Sequence, residues 1–116
     1  MTDSRSFGKV RKILYSPDFG AGWVTWASGS REEKLFMLEY QPFIDYIEKN
    51  GQRSAIPEEL QAQFLKDFEE KFHDETPYMG ACRCMAVYTT GIDNLVRIEE
   101  YDGRETIGDT FDIEYF

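Results

Sequence analysis

The sequence predicts an α+β domain, a mostly antiparallel sheet of about four strands with two or three helices packed on one face. Three observations carry this. An amphipathic stripe at helical spacing occupies 60–72, strand-like runs lie at both ends of the chain, and Asp102-Gly103 is a strong hairpin signal. The order strand, aromatic loop, helices, then a meander is that of helices segregated to one side of an antiparallel sheet.

The elements follow in order. Lys9–Tyr15, KVRKILY, reads as a strand with β-branched and aromatic residues in its second half. Ser16-Pro17-Asp18 breaks it, because proline fixes φ and Asp18 can bond its own backbone. Gly20-Ala21-Gly22 is permissive backbone, and Trp23–Trp26 reads as a short second strand. On a strand the two indoles face opposite sides. Trp23, beside Gly22, is expected to be exposed, and Trp26, which adjoins Ala27 and the following helix, to be buried.

Ser30 and Glu33 fit a capping box, so a helix is expected from Arg31. Pro42 interrupts it and suits the first turn of a second helix, Pro42 to Asn50, with Tyr40, Phe43, Ile44 and Ile47 on one face and Gly51 as the stop. Pro57-Glu58-Glu59 opens the clearest helix, where two acids complement the positive helix end. Its Leu60, Phe64, Leu65, Phe68 and Phe72 cover an arc of about 140° and are read as core-facing. After Pro77, the runs Cys82–Tyr88, Leu95–Tyr101 and Arg104–Ile107 read as strands, the first two linked by Gly91–Asn94.

The 116 residues amount to one domain, 1–116, with 1–7 expected to be disordered and 109–116 to be an acidic tail. Hydrophobic residues at 41% and aromatics at 16% support a core without staples. The 22 acidic against 13 basic side chains leave a net charge of −9. Such a chain lacks a nucleic-acid footprint, is repelled by anionic membranes and is attracted to basic protein surfaces. The acids concentrate at the end: Glu99, Glu100, Asp102, Glu105, Asp109, Asp112 and Glu114 stand against Arg104 alone. No apolar run spans a bilayer and no signal peptide is expected.

Catalytic signals are weak. His73 is the single histidine, and its place after a helix favours an interaction with the helix end over a general-base role. Cys82 and Cys84, one residue apart, suit neither a disulfide nor a four-ligand zinc site, and read as buried small apolar groups on one strand face. Gly20-Ala21-Gly22 is not a phosphate fingerprint. Glu99, Glu100 and Asp102 are read as surface carboxylates, with an acid pair or a magnesium site as the sharper alternative. No catalytic residue, cofactor or metal is therefore expected. The expected binding set is Tyr15, Asp18, Gly20, Gly22 and Trp23 on the aromatic loop with Glu99, Tyr101 and Asp102 on the hairpin.

The strings LYSPDFGAGWVTW, YQPFIDYIEKNG and VRIEEYDGRETI, residues 14–26, 40–51 and 96–107, resemble segments of small uncharacterised proteins of tailed bacteriophages and prophages. Matching positions include Ser16, Pro17, Gly20, Gly22, Trp23, Gln41, Pro42, Glu99, Tyr101, Asp102 and Gly103. The resemblance implies the cytoplasm of an infected bacterium. The leading expectation is a non-catalytic acidic protein that binds and modulates a host protein with a basic surface, such as a defence or transcription factor. The alternatives are a nucleotide or other small-molecule binder, stacking its ligand on Trp23, Tyr15 and Tyr101, and an enzyme using carboxylates with His73.

Overall fold

The computed structural model describes residues 9–116, so the expected disorder of 1–7 lies outside the described residues. Over these residues the chain is an α+β fold with four strands, β1 (Val10–Tyr15), β2 (Ala86–Gly91), β3 (Leu95–Tyr101) and β4 (Arg104–Thr110). Three helices, α1 (Arg31–Leu38), α2 (Gln41–Asn50) and α3 (Glu58–Phe72), lie between β1 and β2. All pairing is antiparallel, and it divides into two two-stranded sheets, β1–β2 and β3–β4. The Gly91–Asn94 turn therefore joins two sheets instead of pairing β2 with β3.

The division follows from β1. Alternate residues of a strand face opposite sides, and here both sides are apolar: Ile13 and Leu14 are each fully buried, in different clusters. Leu14, with Val87 of β2, joins the main core of α1–α3, which contains Met37, Phe43, Ile44, Ile47, Phe64 and Phe68. Ile13 joins Val24, Leu38, Val96 and Ile98, with Tyr88 and Ile107 packed alongside. Helices thus cover one side of β1–β2 and the β3–β4 hairpin covers the other.

Local signals account for the helix ends. The Ser30–Glu33 capping box forms in full, and its glutamate side chain accepts from the Ser30 N–H at 2.7 Å. Pro42 lies in the first turn of α2. Pro57 caps α3 from just outside its first turn. His73 ends α3 in the left-handed region (φ 53°), and its N–H donates to the Glu69 carbonyl at 2.8 Å. No described helix is long and apolar enough to cross a membrane.

Two strand expectations need correction. Val24–Trp26 is a 3₁₀ turn, because Glu105 draws the Trp23 and Thr25 N–H groups to one side chain. Gly80–Arg83 is likewise a 3₁₀ turn, and β2 begins only at Ala86. The intervening chain pairs with the segment before α3 instead: the Ile56 N–H donates to the Cys82 carbonyl at 2.7 Å, and Ser54 bridges Met85. Cys82 and Cys84 therefore do not share a strand face. Cys82 is buried, which pushes its thiol up to about 12, while Cys84 is half-buried near Asp18.

The acidic tail is also shorter than expected. Asp109 belongs to β4, and its carboxylate accepts from Tyr88 Oη, Thr90 Oγ1 and Asn94 Nδ2 at 2.8, 2.7 and 3.2 Å, tying the sheets together. Beyond β4, Phe111–Glu114 is exposed; the chain then folds back, with the Phe116 N–H on the Val96 carbonyl at 3.0 Å.

Candidate functional site

The fold brings the two halves of the expected binding set together. The turn after Tyr101 has positive φ at both Asp102 (51°) and Gly103 (87°), as a type I′ hairpin requires. Its tip docks on the glycine loop, where the Gly20 N–H (φ 110° at Gly20) donates to the Asp102 carbonyl at 2.7 Å. The approach is so close that a Cβ on Gly103 would stand 2.3 Å from the Ala21 nitrogen. Above this contact Phe19 and Tyr101 meet edge to face at 6.3 Å, and the Arg104 guanidinium lies 5.6 Å from the Phe19 ring centre.

Beneath it sits a carboxylate that sequence reasoning passed over. Glu105 is buried and forms no salt bridge among the described residues. Its Oε1 accepts from the Ser16 N–H at 2.8 Å, and its Oε2 from the Trp23 N–H, Thr25 N–H and Thr25 Oγ1 at 2.8, 3.0 and 2.7 Å. Burial pushes its pKa above the usual carboxylate value, although these four donors pull the other way. Ser16 adds a bond from its hydroxyl to the Ala21 carbonyl at 2.6 Å. The loop is therefore held from inside by β4. Its amides at Ser16, Gly20, Trp23 and Thr25 are engaged within the protein.

The two tryptophans reverse the expectation. Trp23 is 1% exposed, packs on Phe43 and Phe64, and donates its indole N–H to the Met37 carbonyl at 2.9 Å. Trp26 is 44% exposed. The difference follows from their partners: Trp23, at the entry to the 3₁₀ turn, is anchored in the core by Met37, Phe43 and Phe64, whereas Trp26 is held at the surface by Glu100 and Tyr78. Gly22 is buried beneath Trp26, and a Cβ there would meet its ring at 2.7 Å. This glycine serves packing and does not open the loop to a ligand.

Trp26 is held in place. Its indole N–H donates to Glu100 Oε2 at 3.1 Å, an oxygen that also accepts from the Gly103 N–H at 2.7 Å. These two bonds, the backbone one foremost, lower the Glu100 pKa. One face of the indole stacks on exposed Tyr78, with centroids 5.9 Å apart and planes at 23°. The pair borders a cleft of about 220 Å³, whose floor includes Met37 and Phe68 and whose wall carries Glu33, Asp74 and Glu75.

The remaining predicted residues are peripheral. Tyr15 is half-buried at the end of β1. Asp18 is exposed and pairs with Arg53 at 3.1 Å. Glu99 is exposed opposite Thr106, apart from the loop contact. The sequence signals for the missed residues were local: Trp26 carried an aromatic signal assigned to the wrong face, and Glu33 was read only as a cap. Compared with known proteins, the chain matches no family model, no curated protein and no solved structure.

Proposed function

We propose that the chain is a non-catalytic binding protein that docks on, and modulates, a partner protein with a basic surface, through the face built by the aromatic loop and the β3–β4 hairpin tip. The carrying observation is the set of large aromatics left exposed there among carboxylates: Phe19 and Tyr101 on one contact, Trp26 and Tyr78 on the other, with Glu100 bonded to Trp26 and Asp102 next to Tyr101. Tyrosine and tryptophan are enriched at interface anchors, and the net charge of −9 supplies complementarity to a basic partner. The resemblance to bacteriophage proteins makes a bacterial host factor the natural target. A nucleotide pocket on the loop is less well supported, since Trp23 lies in the core and the loop amides already have acceptors.

Affinity capture from bacterial lysate, identification by mass spectrometry and remeasurement with the purified partner test this reading. Tyr78→Ala and Tyr101→Ala, both at exposed positions, should each weaken binding at least tenfold while leaving the melting temperature in place. Binding that is indifferent to both variants would place the interface elsewhere.

A further inference from the structure

The cleft beside Trp26 has a chemistry narrower than the surface around it. Glu33, Asp74 and Glu75 line it, and among the described residues no Lys, Arg or His does. None of the three pairs with a cation among the described residues. Glu33 is the most telling. Its residue is 94% buried (6% exposed), and its Oε1 is committed to the Ser30 N–H. Its Oε2 has no hydrogen-bond partner among the described residues. Every fully enclosed side-chain oxygen or nitrogen among those residues does have one. This oxygen is therefore reached from the cleft, and it holds an unanswered acceptor there. A carboxylate oxygen open to the cleft at an otherwise buried residue favours a cation there.

Size and shape narrow the choice. Pockets for whole small molecules run to about 300–1,000 Å³, so the 220 Å³ here suits a single side chain. The nearly parallel Trp26 and Tyr78 rings favour a planar cation stacked on the outer face of the pair. The apolar floor of Met37 and Phe68 suits a methylene stem. A guanidinium satisfies all three conditions, because it is flat, permanently charged and offers forked donors to two carboxylates. Resting on the basic-partner reading above, we propose that this cleft is the seat of one arginine side chain of the partner, stacked on Trp26–Tyr78 and bonded to Glu33 and the Asp74–Glu75 pair.

The test uses the full chain with two probes, Ac-Gly-Arg-Gly-NH2 and its lysine counterpart, titrated at low salt to millimolar concentrations while NMR follows each side chain. The arginine peptide should shift the Trp26 indole N–H and the Tyr78 ring signals saturably, and the lysine peptide should do so more weakly. Glu33→Gln keeps an oxygen for the Ser30 N–H and removes the charge. It should weaken arginine-peptide binding about tenfold with the melting temperature little changed. Should it destabilise α1, the double variant Asp74→Asn, Glu75→Gln provides the same reading at exposed positions. Shifts confined to other surfaces, or equal affinity for both peptides, would overturn the arginine seat and leave the basic-partner reading standing. Absence of binding by either peptide, together with no response to an oligoarginine peptide, would overturn both.

Discussion

Glu105 is where a single side chain organises the most chain. Four donors from three loop residues converge on its carboxylate, and its own N–H donates to the Ser16 carbonyl at 2.7 Å. Glu105→Ala leaves the Ser16 and Trp23 N–H groups buried without acceptors and should cost about 3 kcal/mol or more, read by chemical denaturation. The pH dependence has a definite sign. A folded pKa raised above the ordinary 4.5 means that the native state holds its proton more tightly than the unfolded chain. The stability of the wild type relative to Glu105→Gln should therefore be highest below pH 4.5 and decline as pH rises through the raised value. A difference that grows with pH across that window would show the four donors outweighing desolvation. The tryptophans provide a second test at this scale. Acrylamide should quench one indole, and Trp26→Phe should abolish that component. Trp23→Ala should cost about 3–5 kcal/mol as a core truncation, whereas Trp26→Ala should cost far less.

Among the elements, α3 and the β3–β4 hairpin carry distinct tasks. The α3 stripe is core, as its periodicity predicts: Phe64 and Phe68 are buried and meet Trp23, Phe36, Tyr40 and Phe43 ring against ring. Phe64→Ala and Phe68→Ala should each cost about 3–5 kcal/mol, against well under 1 kcal/mol for exposed Glu69→Ala. Equal costs in urea denaturation would reverse the face assignment. The hairpin tip, by contrast, is a docking element. Gly103→Ala adds a Cβ where φ is 87° and backbone stands 2.3 Å away. It should destabilise by about 2 kcal/mol or more, and should also raise Trp26 quenching, since the Gly103 N–H and the Trp26 indole share the Glu100 carboxylate. A destabilised variant with unchanged quenching would separate the hairpin from the aromatic site.

At the scale of the whole molecule, charge and shape act together. In the proposed complex the acidic surplus would favour encounter with a basic surface from a distance, and the aromatic contacts would then hold it. For the captured partner, the association rate should fall about tenfold or more between low and high salt, while dissociation changes far less, as stopped-flow mixing would show. Similar salt effects on both rates would assign the charge to solubility alone.

Much of this protein is local in origin and was therefore legible in the sequence. The capping box at Ser30, the prolines at 42 and 57, the α3 stripe and the Asp102-Gly103 turn each act over a few residues, and each is realised where the sequence places it. What decided the rest is long-range. Glu105 binds residues 80–89 positions away, and that reach turned an expected strand at 23–26 into a 3₁₀ turn and exchanged the fates of the two indoles. Ile13 and Leu14 are each apolar in any reading. Only the assembled fold sets helices on one side of them and a second hairpin on the other, dividing one expected sheet into two. The loop and the hairpin lie about 80 residues apart in sequence, and the Gly20–Asp102 contact is what joins them in space. Hydrogen bonds and packing between distant segments leave no periodicity in a sequence, so the composition of the binding face was decided by tertiary structure.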